Sequence, residues 1–518
     1  MTEWWKGAVI YQIYPRSFGD SNGDGVGDLP GILERLPHVA GLGVDGIWLS
    51  PFFTSPMHDF GYDISDFRGV DPVFGTLADF DAVLARAHDL GLKLIIDQVY
   101  SHTSVEHPWF GESRRSRSNP KSDWYVWADP LPDGSPPSNW QSVFGGPSWQ
   151  WDARRGQYYL HNFLVEQPDL NLHNPEVQEA ILDVTRFWLD RGVDGFRLDA
   201  LNFGMHDPEL RDNPPETVFK RPPTRPFDFQ RHTRSMSHPD LPAFIERIGG
   251  VVRSYPDRFT VAEVGGPFPL DEMKAFTRGD ARLDSAYNFD FLYADALSGD
   301  LVRDTVNQWP GDDPDEGWPS WAFSNHDAPR AVTRWRGPCS RPRYAKLLNL
   351  LLMALRGNVF LYQGEELGLP QGRVPFERLR DPEAIANWPE TLGRDGARTP
   401  MPWSSGNDHA GFSTAEPWLP VDDAHPALSV AEQESDPESV LNFTREALRL
   451  RRGSRILREG GLRFLGSDDH LVIERTHGGG RLVCSVNLSN EHVEPPAHSE
   501  VLLRVGEPGS PHSGFIAR

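Results

Sequence analysis

Eight short apolar runs recur between Ala8 and Gln363, each bounded by turn residues and most of them followed by a stretch of helical periodicity. They are AVIYQIY (8–14), GIWLS (46–50), LKLIIDQV (92–99), GFRLD (195–199), FTVAE (259–263), AYNFDF (286–291), WAFSNH (321–326) and NVFLYQ (358–363). Runs of this length bounded by turns read as buried strands. The segments between them read as helices. Leu77, Phe80, Val83, Leu84, Ala87 and Leu90 fall on one helical face, Thr76 with Asp79 makes a cap in front, and Gly91 marks the stop. Asn174-Pro175 opens another helix, with Val177, Ile181, Val184 and Trp188 inward and Gly192 at its end. Eight strands alternating with helices predict an α/β fold, a parallel (β/α)8 barrel rather than an open sheet.

Three stretches interrupt the alternation. Residues 103–170, rich in Ser, Pro, Gly and Trp, read as a subdomain inserted after the third strand. Residues 203–242 form a Pro-rich excursion after the fourth strand, and 364–403 another after the eighth. Long loops after barrel strands build the active face. Beyond about residue 460 the alternation ends. HLVIERT and RLVCSVNL, separated by HGGG, predict an antiparallel hairpin in a small all-β domain. The expected division is a barrel over 1–102 and 171–459, an insert over 103–170 and a β domain over 460–518.

Composition narrows the function. Lys and Arg number 51 against 74 Asp and Glu, a net charge of −23, which argues against nucleic acid and anionic membrane surfaces as partners. Cys339 and Cys484 leave at most one bridge, and no signal-like or membrane-spanning run is visible, so a cytoplasmic protein is expected. Aromatics are 11% of the chain, with 17 Trp. Most would fill cores, although some would suit the C–H faces of sugar rings.

Polar residues cluster at the strand ends. Asp97 and His102 follow the third strand, Arg197 and Asp199 the fourth, Glu263 the fifth, and His326 and Asp327 the seventh. Any one of them could cap a helix or satisfy a loop. Together, at matching ends of a barrel, they converge on one mouth. Four carboxylates and two histidines with no Cys–His zinc pattern point to acid/base or glycosidic chemistry. No G-x-S-x-G elbow or H-E-x-x-H helix supports another hydrolase class.

In this setting the chain resembles the α-amylase superfamily (glycoside hydrolase family 13), and within it the α-glucosidase and oligo-1,6-glucosidase branch. DQVYSH (97–102), QPDLN (167–171), GFRLDA (195–200), AEV (262–264) and FSNHD (323–327) stand in the family's order. VIYQIYPRSFGDSNGDGVGDLPGI (9–32), DFGYD (59–63), SVFGG (142–146) and ARTPMPW (397–403) extend the match across the barrel and the insert. The resemblance implies that Asp199 is the nucleophile, Glu263 the general acid/base and Asp327 the third carboxylate, which binds sugar hydroxyls. A retaining glycosidase needs one ionised and one protonated carboxyl about 5 Å apart. Arg197, two residues before Asp199 on one strand, points the same way and could keep it ionised; a bridge from Arg197 to Asp97 is an open alternative. The resemblance further places His102 and His326 on sugar hydroxyls, Tyr62 beneath the ring, Phe144 and Phe163 beside it and Gln167 nearby. It implies that Asp59 and Arg398 clamp the far hydroxyl of a non-reducing glucose, which closes the pocket behind it. Ala200, small where a Val goes with α-1,6 substrates, leans toward α-1,4.

The implied activity is exo-acting retaining α-glucosidase on short, maltose-like α-glucosides. The same fold would also serve an α-glucosyltransferase, a glucoside isomerase or an oligo-1,6-glucosidase. A catalytically dead sugar-binding or transporter-accessory protein is the contrasting reading, disfavoured because all three carboxylates are present. No organic cofactor is expected, and the chain should be a monomer or small homo-oligomer. DSNGDGVGD (20–28) follows the early positions of a calcium loop through Asp20, Asn22, Asp24, Val26 and Asp28, with Gly31 where an EF-hand has its bidentate Glu. An ion-free Asx-rich turn fits the same residues; related α-glucosidases hold a divalent ion there, implying structural Ca²⁺ or Mg²⁺.

Overall fold

The computed structural model describes residues 3–219, 222–309, 317–335, 339–390, 393–466 and 469–518. Eight parallel strands close into a barrel: β1 (Val9–Ile13), β2 (Gly46–Leu49), β3 (Lys93–Val99), β4 (Gly195–Asp199), β5 (Phe259–Val264), β6 (Ser285–Asn288), β7 (Trp318–Ala322) and β8 (Asn358–Tyr362). Each strand pairs with its sequence neighbours, and β1 pairs with β8 to close the ring. A long helix follows each strand: α1 (Leu29–Leu42), α2 (Leu77–Asp89), α3 (Pro175–Arg191), α4 (Leu241–Arg253), α5 (Pro269–Thr277), α6 (Gly299–Asn307), α7 (Arg341–Ala354) and α8 (Val440–Arg452). All eight predicted strands are present. Two are displaced: β6 ends at Asn288 rather than Phe291, and β7 spans 318–322 rather than 321–326. Pro319 hid the start of β7, because a residue without an N–H reads as a strand breaker.

Local chemistry explains the helix boundaries. Thr76 and Asp79 form a reciprocal capping box at α2, a cap contributing about 1 kcal/mol. Asn174 caps α3 by accepting from the Glu176 N–H, Pro175 occupies the first turn, and Gly192 ends the helix at φ 105°, a conformation that favours glycine.

Between β3 and α3 lie a short helix, Pro108–Ser113, and a three-stranded sheet of Trp127–Ala128, Trp149–Asp152 and Gln157–Leu160 around Trp140 and Trp149. The chain ends in a five-stranded antiparallel sheet built from β9 (Gly461–Phe464), β10 (His470–His477), β11 (Gly480–Asn487), β12 (Val501–Val505) and β13 (Ser513–Ala517). The predicted hairpin is β10–β11. Its two-residue turn is Gly478-Gly479, both at positive φ, as a primed hairpin turn requires. No disulfide joins Cys339 and Cys484. Among the described residues no helix is long and apolar enough to cross a membrane.

The barrel register sets the site. Asp97 on β3 lies opposite Arg197 on β4, and Glu263 on β5 lies opposite Tyr287 on β6. Side chains two apart on a strand share a face, so Arg197 and Asp199 both enter the barrel mouth.

Candidate active site

A cavity of about 870 Å³ opens at the strand C-terminal ends. Asp199, Glu263 and Asp327 line it together with Asp59, Tyr62, His102, Phe144, Phe163 and Ala200. The structure thus brings residues from five strand ends and the insert into one pocket. Arg197, Gln167, His326 and Arg398 do not line the cavity; they sit against the residues that do.

Arg197 organises the floor. Fully buried, it pairs with Asp199 through Nη1, with Glu263 through Nη2 at 2.5 Å and with Asp97 through Nη1 at 2.9 Å. Both open partners for this arginine are therefore taken. The Tyr287 hydroxyl accepts from Arg197 Nε at 3.2 Å and donates to Glu263 Oε1 at 3.1 Å. Trp48 donates to Asp97 at 3.2 Å and lies under the guanidinium. Burial pushes the Asp199 and Glu263 carboxyls up to about 7, opposed in both cases by Arg197. The charges of Asp199 and Asp327 add to the rise at Glu263. Pairing with Arg197 therefore limits, but does not cancel, the cost of burying Asp199, because one guanidinium is divided among three carboxylates.

Asp327 differs. Against burial, His326 and the guanidiniums of Arg398 and Arg394 hold it well below the ordinary carboxylate range. Burial pushes His326 down to about 3. Gln12 Nε2 lies 2.8 Å from His326 Nδ1, which leaves the ring proton on Nε2, 3.2 Å from Asp327 Oδ2. His326 also stacks face to face on Tyr62 and bonds its hydroxyl, so it supports the floor rather than facing the cavity. His102, pushed by burial down to about 4, is bracketed by Gln167 Nε2 at 3.1 Å and the Phe163 ring. Gln167 also donates to Asp59 at 3.2 Å.

Asp59 and Arg398, the residues expected to clamp that hydroxyl, do not pair with each other. Arg394 takes the partner role, its Nη2 lying 2.8 Å from Asp59 Oδ1 and 2.8 Å from Asp381 Oδ1, while its guanidinium lies over the Phe144 ring. Arg398 lies deeper, with Nη2 2.7 Å from Asp327 Oδ1 and Nε donating to the His326 carbonyl at 2.7 Å. A turn over Asp395–Ala397 separates the two arginines and sends them to different carboxylates. Arg394 was visible as a second arginine in the same loop, but its sequence neighbourhood does not say which would reach Asp59. Tyr287 carried no sequence signal beyond its strand.

The 203–242 excursion supplies the outer wall through Glu216, Val218, Arg225 and Phe227. Arg225 bridges to Glu383 at 2.6 Å, joining this wall to the loop after β8. Phe289 and Tyr293, beyond β6, complete an aromatic rim.

In the 20–28 loop, Asp20 accepts backbone N–H groups from Asn22, Gly23 and Gly25 at 2.8–3.1 Å. Asn22 accepts from Asp24 and Asp24 from Val26, each at 2.9 Å. Asp28 is the side-chain cap of α1 and also bonds Ser21. The donor set is all oxygen, which fits a hard divalent cation.

A closed parallel barrel with a buried arginine–carboxylate cluster at its C-terminal mouth defines a (β/α)8 enzyme of the glycoside hydrolase class. The family model for the alpha-amylase catalytic domain matches residues 12–460. The chain belongs to the alpha-amylase family. It is 51% identical to a probable alpha-glucosidase of Rhizobium meliloti over 99% of this chain and 94% of that one. It is 38% identical to an oligo-1,6-glucosidase of Heyndrickxia coagulans over 97% and 96%. Among solved structures it superposes on the alpha-glucosyl transfer enzyme XgtA with a TM-score of 0.94 and 50% identity, covering both chains in full. On the trehalulose synthase MutB of Pseudomonas mesoacidophila the TM-score is 0.90 at 32% identity, over 100% of this chain and 99% of that one.

Proposed function

We propose that the protein is a retaining, exo-acting α-glucosidase that releases glucose from the non-reducing end of short α-glucosides, with α-1,4 linkages preferred. The observation that carries this reading is the single guanidinium of Arg197 bonded to both Asp199 and Glu263 at the base of a pocket backed by the Asp59–Arg394 pair. Carboxyls held by one guanidinium have the short spacing of a retaining pair, whereas an inverting pair must admit a water between them. Glu263, raised by burial and by neighbouring carboxylates, keeps its proton near neutral pH. An Asp199 carboxylate oxygen bonds to the anomeric carbon as the glycosidic C–O bond breaks, and the leaving oxygen takes the Glu263 proton. Glu263 then removes a proton from water, which displaces Asp199 and releases α-glucose. Asp327, held ionised, binds sugar hydroxyls through the transition state. The buried Asp59–Arg394 pair blocks the far end and so favours terminal residues over internal ones.

A second reading, glucosyl transfer, is favoured by the size and lining of the cavity. About 870 Å³ exceeds one glucose, and the rim of Phe227, Phe289 and Tyr293 would seat an acceptor and exclude water. The high similarity to XgtA, itself a glucosyl transfer enzyme, points the same way. For the 20–28 loop, Ca²⁺ or Mg²⁺ held by Asp20, Asn22, Asp24, the Val26 carbonyl and Asp28 would brace the entry to α1 and take no part in chemistry.

NMR of the first product formed from maltose, isomaltose and sucrose separates these readings. Initial α-glucose from maltose, faster than from isomaltose and absent in Asp199→Ala, supports the hydrolase. Initial β-glucose refutes the nucleophile assignment. Transfer products exceeding free glucose move the protein to the second reading.

A further inference from the structure

Behind the outer wall of the pocket, where the 203–242 segment rejoins the barrel, side chains from two distant stretches of chain converge. His173 stands just before α3, and His238 and Asp240 just before α4. One donor atom from each lies within 4.8 Å of the other two. His173 Nε2 is 2.8 Å from the carbonyl oxygen of His206. A carbonyl accepts only, so Nε2 carries the ring proton and Nδ1 presents its lone pair, the arrangement that orients metal-bound imidazoles. His238 Nδ1 is 3.6 Å from Asp240 Oδ2, close to the edge of about 3.4 Å in a tetrahedron with zinc–nitrogen and zinc–oxygen bonds near 2.0–2.1 Å. The two imidazoles meet edge to face with centroids 4.9 Å apart. His238 Nδ1 accepts the Asp240 backbone N–H at 3.3 Å, so this nitrogen carries a lone pair, which a cation would take over from that donor.

We propose that His173, His238 and Asp240 form a tetrahedral site for a first-row divalent cation, with Zn²⁺ the best match and water as the fourth ligand. Two imidazoles and one carboxylate are a borderline donor set, distinct from the all-oxygen loop at 20–28. The exposed side of Asp240 leaves the fourth position open to solvent. The site also has a mechanical consequence. Ser237, next to His238, donates its backbone N–H to the Asn202 carbonyl at 2.7 Å, and Asn202 lines the cavity three residues beyond Asp199. An ion at this position would pin the excursion that forms the outer wall to the start of α3.

The test is calorimetric titration of metal-free protein with ZnCl₂, together with the visible spectrum of the Co²⁺-loaded protein. The expected result is one Zn²⁺ per chain, tetrahedral Co²⁺ bands, and affinity lowered at least about tenfold in H173A, H238A and D240N. D24N, in the oxygen-rich loop, should leave zinc affinity unchanged. Asp240 makes no side-chain cap at α4, so D240N keeps the fold even if a histidine variant does not. Absence of a saturable Zn²⁺ site, an octahedral Co²⁺ spectrum, or unchanged affinity in D240N and H238A would overturn the proposal.

Discussion

Arg394→Ala removes one guanidinium from three carboxylates, two of them, Asp59 and Asp381, buried. Its contacts are Asp59 and Asp381 at 2.8 Å and Asp327 at 3.5 Å. Asp59 is 3% exposed, and even with Arg394 beside it burial pushes its carboxyl up to about 6. Arg394 is among the groups that hold it down, so without that partner its pKa rises further and more of the group is neutral at working pH. A neutral carboxyl loses a charge-assisted bond to the sugar worth about 1.5–3 kcal/mol. At about 1.4 kcal/mol per tenfold, kcat/KM on maltose should fall roughly 10- to 150-fold. The pH dependence gives the sign. Raising pH re-ionises Asp59 in the variant, so the deficit should shrink from pH 6.5 toward pH 9. Stability should move the other way. An acid whose folded pKa is raised stabilises the fold fully below its unfolded pKa and loses that contribution as pH rises through the folded one. The variant should therefore lose most in urea denaturation at the alkaline end, up to about 3–5 kcal/mol for a broken buried pair. A double-mutant cycle decides the partner: the Asp59/Arg394 coupling should exceed Asp59/Arg398. Equal or reversed couplings, or a deficit independent of pH, would refute the clamp geometry.

Three further outcomes follow from the same site. The kcat/KM profile of the unmodified enzyme should be bell-shaped with its maximum near pH 7, since burial brings both Asp199 and Glu263 up to about 7; Glu263→Gln should abolish the alkaline limb and lose least on substrates with activated leaving groups. Ala200 sits in the left-handed region at φ 39° with its N–H 3.3 Å from Glu263 Oε2, where a β-branched residue is strained beyond alanine, so Ala200→Val should lower stability in urea denaturation and raise the isomaltose-to-maltose rate ratio. Chelation by EGTA or EDTA should lower Tm without changing the pH profile of the remaining activity, as expected of a structural ion; an unchanged Tm would remove the cation from the 20–28 loop.

The sequence by itself determined the barrel, because strand and helix periodicities are local and eight alternations admit few topologies. The same locality placed Asp97, Arg197, Asp199, Glu263 and Asp327 at one mouth, since a residue at a strand's C-terminal end has only one side of the barrel to face. The capping box at Thr76 and the glycine turn at 478–479 were legible for the same reason. What only the tertiary structure decided is partnership among charges far apart in the chain. Asp59 pairs across hundreds of positions with Arg394, while Arg398, one turn later, is turned to Asp327. His326 was legible as a strand-end histidine, yet its stacking on Tyr62 made it a support beneath the floor. Tyr287 acquired its contact with Glu263 only through the β5–β6 register. The Pro-rich excursion became the outer wall of the pocket because Arg225 meets Glu383 from another loop. Strand ends are fixed by local periodicity, whereas the choice among several equally charged partners depends on side-chain distances that exist only once the loops have packed.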